Sequence, residues 1–406
     1  MTYHEAFERL KAHNQEHLLS FYNELSEDEK LILLKQIEDL DFRILDTINN
    51  SEQKRGRISP INVITEDQLD ARYDYLLSLG DNAIADVKVG AVLLAGGQGT
   101  RLGFDKPKGT LDLGENQPIY LFELLIKNLL DVVCMTNTFV PLFIMTSDKN
   151  DADTRQFFID HDYFGYEKSF VYFFKQEMAP SCDFSGKFLL SEKGKLALSP
   201  NGNGGWFLSM VKADLLKTVK ELGIEWLNVF SVDNPLQRIA DPVFIGATIA
   251  TGADCGAKVV KKASPDERVG VMCLEDGRPS IIEYYEMDDK MRNSRDADET
   301  LLYNHGVILN YLFSVDKLES VLNKPLPMHI VKKKIPYIDE IGILQSPNEP
   351  NGYKFETLVL DMIHMTEKCC VTEVKRSYEF APIKNKTGID SPDTARELLR
   401  ENGFEF

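Results

Sequence analysis

The chain reads as an α/β protein. A central mixed, mostly parallel sheet with helices on both faces is preceded by a helical region and followed by a short C-terminal segment. Three observations carry this. Strand-like and helix-like stretches alternate from about residue 140 to residue 260, the rhythm of βαβ units. An apolar run, Val89 to Ala95, has the length and β-branched content of a buried strand and opens into a glycine-rich turn. Before it, apolar residues recur at near-helical spacing.

In chain order, Phe7, Leu10, Leu18, Leu19, Phe21, Tyr22 and Leu25 give the first helical stretch. Ser26 with Glu29 forms a capping box, after which Leu31, Leu33, Leu34, Ile37 and Leu40 continue an apolar face. Ser59-Pro60 breaks the pattern, and Glu66 to Leu79 predicts a helix closed by Gly80. Residues 1–85 carry no chemical constellation, so packing or a lid is their expected role. Strands are predicted at Pro141–Thr146, Phe170–Lys175, Trp226–Val232 and Cys255–Val260. Helices are predicted at Asp151–Asp160, Gly205–Leu222 and Asp241–Thr251. A last helix opens at Ser391 and Pro392.

The turn after Val89–Ala95 holds Gly96, Gly97, Gly99 and Gly103, with Arg101, Lys106 and Lys108 threaded between them. A buried strand feeding such a turn puts bare N–H groups at the carboxyl edge of a sheet, where open α/β folds bind ligands. Small residues admit an anion to the backbone and the cations neutralise it. The reading is a polyphosphate site; the alternative is a tight turn with basic neighbours. A P-loop is excluded because Lys108-Gly109-Thr110 runs in the wrong order. The dinucleotide fingerprint is excluded because Leu102 stands where it needs glycine.

Composition narrows the class. With 46 Lys and Arg against 64 Asp and Glu, the formal charge is −18, which argues against a nucleic-acid partner. An anionic substrate must then be held by local cations against the global field. No apolar run has the length of a membrane span, and the N-terminus lacks the apolar core of a signal peptide. Six scattered cysteines with no C-x-x-C pair suggest reduced thiols, no zinc site and a cytoplasmic location. A monomer or weak oligomer is the expected state.

Four further motifs fall in loops or at strand ends. Gln176 follows a strand, and its amide can pair with a base or sugar edge, or be an ordinary polar loop residue. Ser199-Pro200-Asn201-Gly202-Asn203-Gly204-Gly205-Trp206 offers free N–H groups and amides, or is a flexible hairpin loop. Asp233 ends the strand WLNVFSV, where a carboxylate beside polyphosphate suits magnesium; an Asp opening a turn is the alternative. Lys384, in Ala381-Pro382-Ile383-Lys384-Asn385, is by itself an ordinary surface lysine.

The loop spelling Leu94-Ala95-Gly96-Gly97-Gln98-Gly99-Thr100-Arg101-Leu102-Gly103, followed by Pro107-Lys108-Gly109, resembles the signature of the UDP-sugar pyrophosphorylases, closest to the UDP-N-acetylhexosamine (UDP-N-acetylglucosamine) pyrophosphorylase type. The resemblance spans about residues 86–388. Supporting matches are Ala253 to Val260, Phe355-Glu356 with Asp361, and the Ala381-Pro382-Ile383-Lys384-Asn385 segment. The resemblance implies a Rossmann-like, GT-A-like nucleotidyltransferase fold. It implies a nucleotide site at Leu94, Ala95, Gly96, Gly97, Lys108, Gln176, Gly202 and Asp233, with Gln176 and Gly202 towards uracil. It places the sugar at Asn203, Glu283, Asn304 and Gly306. It makes Asp233 the Mg²⁺ contact and brings Lys384 to the phosphates. Val307 departs from the family's usual Asn, and His305 fills a position that is ordinarily small.

The expected activity is uridylyl transfer from UTP to a hexose-1-phosphate, giving UDP-sugar and pyrophosphate, with N-acetylglucosamine as the expected sugar. Arg101, Lys108 and Lys384 are the expected catalytic cations, with Arg101 on the β- and γ-phosphates. The expected division is a helical region at 1–85, a nucleotidyltransferase catalytic domain at 86–375 and a C-terminal segment at 376–406 that carries the phosphate-binding lysine. The alternatives are a non-catalytic nucleotide-sugar sensor of the same fold, or a pyrophosphorylase for UDP-glucose or another UDP-sugar. A dinucleotide-dependent oxidoreductase fails on the loop spelling.

Overall fold

A computed structural model describes residues 1–49, 55–324 and 326–405. The chain divides into two compact units. One comprises Met1–Lys54, Glu177–Gly205 and Leu326–Val359; the other comprises Arg55–Gln176, Trp206–Pro325 and Leu360–Phe406. These packing units cut across the linear boundaries drawn from the sequence.

The larger unit holds a ten-stranded mixed sheet. Its parallel part runs Trp226–Ser231, Val89–Leu94, Leu142–Thr146, Val171–Lys175 in spatial order. His305–Ser314 joins antiparallel to Trp226–Ser231 and carries Cys255–Lys261 on its other side. Cys369–Glu373 then pairs parallel to Cys255–Lys261. Parallel pairing is thus confined to the sheet's two flanks, with antiparallel ladders between them. All six residues of Val89–Leu94 are buried, as a central strand covered on both faces requires. On one face Val89, Ala91 and Leu93 join Leu142, Ile144, Phe230 and residues of the helices Tyr73–Ala85, Leu121–Thr136 and Pro242–Thr251 in a single core. On the other face the Trp206–Lys212 helix lays Trp206 against Phe313, ring centroids 6.3 Å apart.

Most elements lie within a residue or two of the sequence reading. Three differ for physical reasons. Glu66–Leu79 is two helices, Glu66–Asp70 and Tyr73–Ala85, and Gly80 lies inside the second rather than capping it. A Cβ on Gly80 would sit 1.9 Å from the Pro242 carbonyl oxygen, so this glycine marks a close helix crossing. Gly205–Leu222 is broken into Trp206–Lys212 and Leu215–Glu221, with Asp214 at φ +59° between them. Ser59-Pro60 reads as a break, and Ser59 instead joins Ile58 in a two-residue edge strand on Val271–Glu275.

The smaller unit has its own core. Leu10, Leu18, Leu33 and Ile37 from the N-terminal helices meet Cys182, Phe188 and Phe355. The Ser26–Glu29 capping box forms as read, at the start of the helix Glu27–Asp39. A three-stranded sheet, His329–Lys333, Gly352–Glu356 and Cys182–Asp183, completes this unit.

Candidate active site

The glycine loop leaves the carboxyl end of Val89–Leu94, and the Asp233 loop leaves the carboxyl end of Trp226–Ser231. These strands are parallel neighbours, with Leu94 opposite Ser231. The chain runs outward from Val89–Leu94 in one direction through Leu142–Thr146 and Val171–Lys175, while Trp226–Ser231 lies on its other side. Strand order therefore reverses here, which opens a crevice outside the carboxyl ends, the usual ligand position in such sheets.

The loop is held by its own backbone. Gly99 N–H donates to the Lys106 carbonyl (3.2 Å), Phe104 N–H to Gly99 (3.1 Å) and Lys108 N–H to Gly97 (3.2 Å). Gly103, at φ +71°, closes the short turn Thr100–Leu102 in the left-handed region that glycine enters without strain. Leu102 anchors the turn in a cluster with Leu113, Leu236, Ile383 and Leu399. Asn150, fully buried, donates from Nδ2 to the Ala95 carbonyl (2.9 Å) and fixes the strand exit. The sequence reading missed Asn150, because an Asn just ahead of a helix reads only as a helix start. Gly97 faces open space, whereas a Cβ on Gly96 would lie 2.7 Å from Gln176 Oε1. Gln176 and the loop are thus adjacent.

Lys108 and Asp233 meet, with Nζ 3.6 Å from Oδ2 and both side chains largely shielded. Burial pushes the Lys108 ammonium below its ordinary value; Asp233 opposes that, while the charges of Lys384 and Arg101 add to it. Burial pushes the Asp233 carboxyl up, but Lys108, the Ser231 hydroxyl and Lys384 together hold it below the ordinary value. The Ser231 hydroxyl donates to Asp233 Oδ1. Ile383 N–H donates to the Asp233 carbonyl (2.8 Å), tying the Ala381–Asn385 segment to this loop. Arg101, Lys108, Asp233 and Lys384 therefore share one electrostatic neighbourhood. Among the described residues no group of three His, Cys, Asp or Glu side chains is placed to hold a metal ion. A hard divalent cation here would rest on Asp233 and on a ligand's oxygens.

A second grouping lies along His305–Ser314. Gly306 stands opposite Val260 and Val271, and a Cβ on it would press on Val269 at 2.8 Å. Glu283 follows the strand Arg278–Ile282, with Oε1 3.5 Å from where a Cβ on Gly270 would sit. Val307 N–H donates to the Gly270 carbonyl (2.9 Å), so Glu283 and Gly306 share an edge. Asn304 Oδ1 accepts from the Lys262 N–H (3.1 Å). His305 pairs instead with Glu373, Nε2 to Oε2 3.5 Å, and burial pushes its imidazole below the ordinary value.

Gly202 and Asn203 belong to the smaller unit. Gly202 sits at φ +86°, and a Cβ there would fall 2.1 Å from the Thr357 carbonyl oxygen, so only glycine fits. Asn203 Oδ1 accepts from the Val359 N–H (3.0 Å), and Gly204 N–H donates to Thr357 (2.9 Å). The loop is therefore ordered against Thr357–Val359, not the flexible hairpin that was the alternative reading.

Residues 42–389 match the family model described as UTP–glucose-1-phosphate uridylyltransferase. The UDP-N-acetylhexosamine pyrophosphorylase-like protein 1 of Mus musculus is 37% identical, covering 98% of this chain and 84% of that protein. The UDP-N-acetylglucosamine pyrophosphorylase of Saccharomyces cerevisiae is 36% identical, covering 96% and 85%. The crystal structure of the uridine diphosphate N-acetylglucosamine pyrophosphorylase of Trypanosoma brucei superposes with a TM-score of 0.82 at 29% identity, covering 97% and 83%. The chain belongs to the UTP–glucose-1-phosphate uridylyltransferase family.

Proposed function

We propose that the chain transfers a uridylyl group from UTP to N-acetylglucosamine-1-phosphate, releasing pyrophosphate and forming UDP-N-acetylglucosamine. The observation that carries this is the meeting of Lys108, Asp233 and the Lys384 segment at the switch point of the sheet. The names of the relatives favour N-acetylglucosamine over glucose.

In this reading UTP lies over Leu94, Ala95, Gly96, Gly97 and Lys108. Gln176 meets the uracil; Glu283, Asn304 and Gly306 meet the sugar. An oxygen of the sugar phosphate attacks the α-phosphorus in line. The bond from that phosphorus to the bridging oxygen breaks, and pyrophosphate leaves with the electron pair. No general base is required, since the attacking phosphate is already an anion. Arg101 holds the β- and γ-phosphates, and Lys108 and Lys384 neutralise charge around the α-phosphorus, so the protein contributes position and preorganised charge. Asp233 is the residue that would hold Mg²⁺, which takes one or two carboxylates plus substrate phosphates and supplies charge neutralisation. Residues 86–375 supply the catalytic portion and 376–406 the segment bearing Lys384. Six unbridged cysteines support a cytoplasmic location; among the described residues no helix is long and apolar enough to cross a membrane.

The test is a panel of sugar-1-phosphates with UTP and Mg²⁺, read by pyrophosphate release, on the wild type and Lys108→Ala. The expected outcome is preference for N-acetylglucosamine-1-phosphate. We expect a loss of about a hundredfold in turnover for the variant, the scale of deleting one preorganised charge contact. UDP-sugar binding with no pyrophosphate release from any member would establish the sensor reading instead. Preference for glucose-1-phosphate would move the sugar and leave the chemistry.

A further inference from the structure

A second charged group lies outside the residues assigned so far. Lys258, on the strand Cys255–Lys261, is fully buried, with Nζ 2.7 Å from Asp241 Oδ2 and 2.6 Å from Glu379 Oε2. It also reaches the Arg238 carbonyl at 3.4 Å. A buried ion group of this kind is no stronger a core than apolar side chains of the same volume, so what it holds in place bears on its role. Asp241 accepts from the Val243 N–H (3.0 Å) and caps the helix Pro242–Thr251. Glu379 ends the helical turn Arg376–Glu379. Its carbonyl accepts from Asn234 Nδ2 (2.7 Å), and the Ala381 N–H donates to Asn234 Oδ1 (2.9 Å). Two residues on, Ile383 N–H donates to the Asp233 carbonyl (2.8 Å), and Lys384 N–H donates to the Asp390 carbonyl (2.7 Å). The backbone from Glu379 to Lys384 is thus laced along Asp233–Asn234, and its upstream end is pinned by Lys258.

We propose that the Lys258–Asp241–Glu379 triad is a positioning device: it fixes the Arg376–Glu379 turn so that Lys384 is set beside Asp233 at the reacting phosphate. The inference rests on the phosphate roles proposed above for Asp233 and Lys384. The three triad residues touch no substrate; they act through the 380–384 segment. The expectation follows from geometry, because a 1 Å misplacement of a reacting group costs on the order of a hundredfold.

The test is a double-mutant cycle with Glu379→Gln and Lys384→Ala, read by kcat and KM for both substrates and by thermal unfolding. Gln keeps the volume of Glu379 and suits a site where burial already pushes the carboxyl up. The expected result is a fall in kcat of about tenfold for Glu379→Gln, below the full misplacement cost, with KM for the sugar phosphate and the unfolding midpoint nearly unchanged. In the Lys384→Ala background, Glu379→Gln should then cost nothing further. Equal losses in both backgrounds, or loss of stability with kcat intact, would overturn the proposal and leave the function reading standing. Full turnover in Lys384→Ala alone would overturn the proposal together with the role given to Lys384, and would leave uridylyl transfer itself standing. If Glu379→Gln is recovered unfolded, Glu379→Asp keeps the charge, shortens the reach and runs the same cycle.

Discussion

Lys108 is pulled two ways. Burial favours its neutral form, and Asp233 favours the charged one; the balance leaves its ammonium below the ordinary 10.5. The sign for activity follows. The folded enzyme releases this proton at lower pH than the unfolded chain, so the charge we propose for UTP binding is lost as pH rises through the lowered value. A bound polyphosphate would hold the proton on. The alkaline limb therefore belongs in kcat/KM, which reports the free enzyme, more than in kcat. Lys108→Arg keeps its charge across the range. We expect the wild type to lose kcat/KM for UTP below pH 10.5 and Lys108→Arg, though slower throughout, to lose that limb. An unchanged limb in the Arg variant would assign it to another group. Lys108 was legible because lysine beside glycine has few purposes in an acidic chain. Lys258 was legible only as part of a matching segment. Inside an apolar strand nothing local announces the two carboxylates that meet it, at sequence separations of 17 and 121.

At the scale of elements, the crossing of the helices Tyr73–Ala85 and Pro242–Thr251 is set by two glycines. A Cβ on Gly80 would sit 1.9 Å from the Pro242 carbonyl oxygen, and one on Gly246 1.9 Å from that of Leu76. In an isolated helix Gly→Ala gains about 0.5–1 kcal/mol. Here the added methyl meets backbone, which cannot rotate away, and overpacking costs about 1–3 kcal/mol. The second effect wins. We expect Gly80→Ala to lower unfolding free energy in urea by about 0.5–2 kcal/mol, the difference of those terms; a gain would mean that the helices separate freely. The same crossing explains why Gly80 read as a helix stop. A glycine's spacing looks alike whether it ends a helix or admits a neighbour, and the neighbour lies some 160 positions away in the chain. Elements with strong local signals, such as Asp151–Asp160 and the capped Glu27–Asp39, were legible almost to the residue.

At the scale of the molecule, the N-terminal region raises the choice between a lid and a structural element. Its packing answers within the smaller unit. Among the described residues, twelve of the eighteen buried members of that unit's core come from residues 6–44, and six come from Ala179, Cys182, Phe188, Leu190, Leu196 and Phe355. The sequence showed the apolar helical faces but not what covers them, because the covering residues arrive from segments more than a hundred positions later. Removing residues 1–49 would bare those six side chains. At about 1.5–3 kcal/mol for each large apolar side chain, the loss is on the order of 10 kcal/mol, comparable with the whole stability of a typical domain. A lid could be deleted with its scaffold intact; a core cannot. We expect the truncated chain to bind a hydrophobic dye and to lose near-ultraviolet circular dichroism at temperatures where the full chain is native. A truncated protein that stays folded by both measures, with only its kinetics altered, would return the region to the role of a lid.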